Sequence, residues 1–177
     1  MVERKERNMN VGVNKMTQET HTALQGDLVR VRELFKEAGQ EMGEAFGPDC
    51  DWHDNSAADL AVGEYKRIGV QEAELSRILR DVQIIKPRIE TSDMGVGNAA
   101  IVRLGDFDKN ETFTLLGPQD AVKGGDRGWI SYLSPVGSAM LGMKPGETKE
   151  FSVGGRKQTV TIKKVLPGNF GNEGKSS

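Results

Sequence analysis

The sequence predicts an α+β protein, an N-terminal antiparallel coiled-coil hairpin followed by a small antiparallel β domain with a short helix. Three observations carry that prediction. Apolar residues recur at alternating steps of three and four along two long stretches, the spacing of a coiled-coil seam. A dense polar turn, residues 46–57 (FGPDCDWHDNSA), separates the two stretches. After Pro87 the helical period gives way to short β-branched and aromatic runs split by Gly, Asp, Asn and Pro, the mark of strands and turns.

The 177 residues are 36% hydrophobic and 28% charged, which fits one or two small domains and excludes a disordered polymer. Only 6% are aromatic, too few for one large core but enough for helical arms beside a modest domain. The formal net charge of −2 gives no global attraction to nucleic acid or membrane, so an electrostatic partner must be met by a local patch. Cys50 is the single cysteine, which excludes an intrachain disulfide and a Cys-rich zinc site. No apolar run reaches the ~18 residues of a membrane span. The opening MVERKERNMN has charges without an apolar stretch behind them, unlike a secretory signal. The expectation is a soluble cytoplasmic protein with no membrane partner.

Taken in order, residues 1–15 are polar, mixed in charge and without period, and are expected to form a flexible leader. The hairpin is expected over 16–86. Thr17 is a candidate N-cap, with Glu19 placed at the positive helix end. The first seam is Leu24, Leu28, Val31, Phe35, Ala38, Met42 and Ala45. Gly39 and Gly43 weaken this helix by roughly 1 kcal/mol each relative to Ala, and Gly47-Pro48 stops it. The second seam is Ala58, Ala61, Tyr65, Ile68, Glu72, Leu75, Leu79 and Val82, with Glu72 the polar intruder. A short connection cannot cross from one end of a helix to the other, so the arms are antiparallel.

The C-terminal domain is expected over 87–167. Its strands are expected at 98–104 (NAAIVRL), 111–116 (ETFTLL), 129–132 (WISY), 148–153 (TKEFSV) and 158–165 (QTVTIKKV). Gly154-Gly155 is a hairpin turn signal. Residues 134–141 (SPVGSAML) are the one helical insertion, with Ser134 as N-cap and Pro135 at the first helical position. The Gly- and Ser-rich end, 168–177, is expected to be a disordered tail.

The order of a hairpin, then ISYLSPVGSAMLGMKPGE, then FSVGGRKQTVTIKKV resembles the bacterial transcript cleavage factors of the GreA/GreB family. Ile130, Ser131, Ser134, Pro135, Leu141, Gly142 and Gly146 fit that family's IS-x-x-SP-x-x-x-x-L-G-x-x-x-G signature, and residues 115–121 (LLGPQDA) fit its VGxxEA segment. VQII (82–85) is similar to the AQVI at the end of the family's second helix. Counted back without gaps, the family's tip motif G-D-L-x-E-N-A falls on residues 50–56. Asp51 and Asp54 then occupy both acidic positions, and Asn55 is kept.

The resemblance implies an FKBP-like C-terminal domain docking on the channel rim of bacterial RNA polymerase, with Ser134 and Pro135 in the contact. It implies a hairpin entering the secondary channel as a monomer and reaching the nascent RNA 3′ end. There the tip acids would help the polymerase hydrolyse backtracked RNA, the chain itself not being an enzyme. Two-metal phosphodiester hydrolysis uses carboxylates to hold Mg²⁺ and orient water. Mg²⁺ keeps several waters and takes few carboxylates, so Asp51 and Asp54 suit a metal shared with the polymerase and none bound by the chain alone. Asn55 would steer the water or the tip backbone.

Other readings of the same residues stand beside these. The acids can be solvated turn residues, with Asp54 or Ser56 capping the second helix. Asp49, His53 and Cys50 read as incidental. Trp52 packs over the seam end or stacks on an RNA base. Lys66, Arg67, Arg77 and Arg80 form a solvated face, of which Lys66 and Arg67 are the candidates for RNA or channel contact. The places where the family often sets arginines beside its tip fall on Gly47 and Val62, both uncharged. That favours an alternative, a channel-occupying regulator or inhibitor that does not stimulate cleavage. A stand-alone peptidyl-prolyl isomerase rests on fold analogy alone.

Overall fold

The computed structural model describes residues 14–46, 56–105 and 109–170. The elements run β1 (Asn14–Met16), α1 (Gln18–Ala45), α2 (Ser56–Ile78), β2 (Val82–Ile84), β3 (Ala99–Leu104), β4 (Asn110–Leu116), α3 (Pro118–Lys123), a 3-10 turn (Gly125–Arg127), β5 (Trp129–Ser131), α4 (Pro135–Met140), β6 (Thr148–Val153) and β7 (Arg156–Leu166). The chain divides into two compact units. One is Glu19–Arg80; the other takes in the described residues of Met1–Gln18 and Asp81–Ser177.

In the helical unit every expected seam residue is buried or half-buried, from Leu24 to Ala45 on α1 and from Ala58 to Leu79 on and just beyond α2. Partner numbers fall along α2 as they rise along α1: Arg32 meets Glu72, Phe35 lies against Gly69, and Gly39 against Tyr65. The arms are therefore antiparallel. Val31, Ala38 and Ile68 form the centre, flanked by Phe35, Tyr65 and Leu75. The Phe35 and Tyr65 rings stack with centroids 4.5 Å apart, an arrangement that adds to simple burial. A Cβ on Gly69 would stand 3.0 Å from the Phe35 ring, so this glycine gives up helix propensity to admit the ring. At 1.5 Å per residue α1 is about 42 Å long.

The other unit is built on a sheet ordered β5-β4-β3-β7-β6. The expected sheet was antiparallel throughout, and here the structure corrects it: β5 pairs with β4 in parallel, Thr114 opposite Trp129. The reason is the connection. Residues 117–128 hold α3 and the 3-10 turn, and a crossover of about a dozen residues is what parallel pairing needs. The expected single helix is thus two, α3 and α4. Ser134 caps α4 and Pro135 opens it, as the sequence predicts, and Gly154-Gly155 turns β6 into β7.

The second helix was expected to run into VQII, and this too differs. It ends at Ile78, Asp81 takes a positive φ of 55°, and Val82–Ile84 becomes a strand. Asn14 and Lys15, expected in the leader, join Met16 in a strand parallel to it. A spacing of three fits Leu79 and Val82 to a seam, but Val82 and Ile84 fit a strand equally well. Pairing with a distant segment decides between them.

Two cores lie on opposite faces of the sheet. Leu115 enters a large one with Val102, Val160, Ile162 and Met140. The next residue, Leu116, points the other way into a small cluster of Ile85, Trp129 and Phe170, as the period of two requires. Phe170 falls in the stretch expected to be disordered and is instead buried.

Candidate functional site

Asp51, Trp52, Asp54 and Asn55 lie outside the described residues, as does Gly47. What is described is their mounting. α1 ends at Ala45 and α2 begins at Ser56, so residues 46–55 join the arms at the end of the hairpin opposite Gln18. Ala58 is buried and closes the seam one turn into α2.

Lys66 and Arg67 are exposed on α2. The Arg67 guanidinium donates through Nε to a Glu64 oxygen at 2.9 Å and through its Nη2 to the other. That pair lowers the Glu64 carboxyl and raises Arg67, first through the hydrogen bond. Arg67 is thus held by its own helix, and Lys66 is the cation next to it. Val62 is half-buried and neutral.

Glu72, the polar intruder of the seam, accepts from Arg32 Nε at 2.9 Å and from Ser76 Oγ at 2.9 Å. These bonds, Arg32 first, hold its carboxyl below the ordinary range. The stabilisation is therefore fully present above the unfolded carboxylate value of about 4.3 and is lost as pH falls through the lower folded value. Replacing Arg32 by Met is expected to flatten the acid dependence of hairpin melting, followed by far-UV circular dichroism; an unchanged acid limb would contradict this account.

Ser134 and Pro135 sit at the turn into α4. The Ser134 hydroxyl donates to the Ser131 carbonyl at 2.7 Å and accepts from Gly137 N–H at 3.1 Å. It is engaged in both directions as a cap. What this turn offers a partner is apolar: the exposed Pro135 ring and Leu133, 67% exposed.

Residues that motif reading passed over hold this unit together. Asp120 is completely buried. Its carboxylate accepts from Thr17 N–H at 3.0 Å, Thr17 hydroxyl at 2.7 Å and Gly117 N–H at 3.0 Å. A Cβ on Gly117 would stand 1.8 Å from the Lys15 carbonyl oxygen, so only glycine lets β1 pass here. The signal was legible: an acid three residues after Gly117, with Pro118 between, is half a capping box. Asn98, also fully buried, donates to the carbonyls of Arg88, Glu90 and Leu166 and accepts from Gly95 N–H. No sequence pattern announced it.

Among the described residues no group of three or more His, Cys, Asp and Glu could hold a metal ion. No helix among them is long and apolar enough to cross a membrane.

A helical hairpin joined to a small mixed sheet defines a two-part protein, and comparison with known proteins says which kind. Residues 92–167 match the family described as transcription elongation factor, GreA/GreB, C-terminal. Transcription elongation factor GreA of Desulfovibrio desulfuricans is 33% identical over 132 residues, 72% of this chain and 77% of that protein. GreA of Treponema pallidum is 29% identical over 137 residues, 77% of this chain and 82% of that protein. The solved GreA factor homolog 1 of Thermus thermophilus aligns over 86% of this chain and 97% of its own, at 25% identity and a TM-score of 0.40. The chain belongs to the GreA/GreB family of transcription elongation factors.

Proposed function

We propose that the hairpin enters the secondary channel of bacterial RNA polymerase and brings Asp51 and Asp54 to the polymerase active site, where backtracked nascent RNA is cleaved. The observation that carries this reading is the register. The acids fall on both acidic positions of the family's tip motif, in a segment that joins two arms whose seam residues are buried or half-buried from Leu24 to Ala45 and from Ala58 to Leu79. Asp51 and Asp54 would hold a Mg²⁺ shared with the polymerase, a metal that supplies charge neutralisation and an activated water when bound. Asn55 positions that water or the tip backbone. Trp52 lies beside the RNA 3′ end, and Lys66 and Arg67 lie along the RNA or the channel wall. The Ser134–Pro135 turn docks on the channel rim. The chain acts as a monomer in the cytoplasm and has no catalytic activity of its own.

A second reading is favoured by one specific feature. Gly47 and Val62 are uncharged where the family often sets arginines, and the nearby Arg67 is tied to Glu64. A hairpin that occupies the channel without gripping RNA would regulate transcription without cleaving. Stalled elongation complexes separate the two. Shortening of the transcript followed by resumed extension is the expected result. Slowed extension with transcripts of unchanged length would establish the regulator instead.

A further inference from the structure

Five glycines lie within the two long helices, and their surroundings divide them into two kinds. Gly69 and Gly39 face the other arm. An added Cβ would stand 3.0 Å from the Phe35 ring at Gly69 and 3.4 Å from the Tyr65 ring at Gly39. Gly26, Gly43 and Gly63 are exposed, and an added Cβ would meet nothing within 4 Å. Alanine would fit at these three and favour the helix by about fivefold at each. Packing does not account for them. A break with local preference that packing does not repay marks a functional position.

Gly43 and Gly63 fall where the hairpin is held least. The apolar cluster between the arms reaches towards the tip only as far as Ala38 and Tyr65. Beyond it the seam is Met42, Ala45, Ala58 and Ala61, mostly alanine, so each turn buries little apolar surface. The register that sets Arg32 against Glu72 and Gly39 against Tyr65 carries on to bring Gly43 and Gly63 to nearly the same level on the two arms. A segment with few buried apolar contacts opens locally while the rest stays folded, and glycine is where helices bend. Both arms are weakened together.

We propose that residues 40–46 and 56–64 form a compliant joint behind the tip, which lets the polymerase settle the final placement of Asp51 and Asp54. This rests on the reading that these acids act in the polymerase site. Mg²⁺ demands near-octahedral geometry, and in a shared site its remaining ligands belong to another protein. On an arm about 42 Å long, a tilt of ~3° at the base displaces the far end by about 2 Å. A misplacement of about 1 Å is enough to cost a catalytic site most of its rate. A joint next to the acids corrects that error, and a stiff mount passes it on.

The test compares the full-length parent with Gly43→Ala/Gly63→Ala and with Gly26→Ala, the same change made on the far side of the apolar cluster. Hydrogen exchange read by mass spectrometry is expected to slow about twentyfold across 40–46 and 56–64 in the double variant. In Gly26→Ala it should be unchanged there. The double variant should melt no lower than the parent and bind RNA polymerase with parental affinity. Its maximal rate of transcript cleavage should nevertheless fall by about threefold or more, while Gly26→Ala cleaves as the parent does. Asp51→Asn/Asp54→Asn keeps the two readings apart. Undiminished cleavage in that protein removes the role of the acids; cleavage lost there but intact in the glycine double variant overturns the joint alone. Exchange that is not slowed overturns the joint on the free protein, whatever the cleavage result. So does an equal loss of cleavage in Gly26→Ala, which would trace the effect to helix stability in general. A double variant that loses polymerase binding would overturn it as well and make the two glycines a clearance for the channel wall.

Discussion

An Asp51→Asn/Asp54→Asn double variant is expected to lose transcript cleavage by about a hundredfold or more while its binding to RNA polymerase survives. Each substitution keeps size and hydrogen-bonding capacity and removes a negative charge. A carboxylate that helps hold a divalent ion in a phosphodiester site contributes several kcal/mol to transition-state stabilisation, and ~3 kcal/mol corresponds to about a hundredfold in rate. Binding should survive because the residues altered lie in the 47–55 connection, whereas the proposed rim contact is the Ser134–Pro135 turn. The assay follows RNA length in backtracked complexes alongside a direct binding measurement. Undiminished cleavage by the double variant would remove the proposed role of the tip. Loss of binding together with cleavage would show that the acids serve docking, not chemistry.

The largest stability effect is expected at Asp120. Asp120→Ala deletes the acceptor of three buried donors, the Thr17 amide, the Thr17 hydroxyl and the Gly117 amide. Leaving a buried donor unmet costs about 1–3 kcal/mol, so a loss of roughly 3 kcal/mol is expected once some water enters. That is a large share of the 5–15 kcal/mol by which a domain is usually stable. Denaturant unfolding of the sheet unit should show a lower midpoint with an unaltered slope. Thr17→Val, which removes one hydroxyl and leaves the Asp120 carboxylate in place, should cost less. Equal losses in the two variants would mean that the Thr17 hydroxyl alone carries the contact.

The comparison of sequence with structure turns on where the deciding contacts come from. The seam was legible position by position, because burial along a helix repeats every three to four residues and needs only the local chain. The strands 148–153 and the α4 cap were legible for the same reason: alternation, a two-glycine turn, and Ser-Pro at a helix start. Glu72 could be seen as an intruder but not explained. Its partner Arg32 lies on the other arm, and only the antiparallel register brings them to 2.9 Å. The parallel pairing of β5 was hidden because a six-residue helix gives too short a period to recognise. The second strand was misread as helix because its partner, Asn14–Met16, lies at the other end of the chain in sequence.

By itself, then, the sequence determined the two-arm hairpin, the acids Asp51 and Asp54 placed between its arms, and the resemblance that led to the family. Those are properties of local periodicity and of short contiguous motifs. Tertiary structure alone decided that β1 closes on β2, that Asp120 is the buried acceptor for Thr17, and that Phe170 is core. Each of these depends on a backbone segment far away in the chain arriving to pair, to donate or to exclude water, and no local pattern records that arrival.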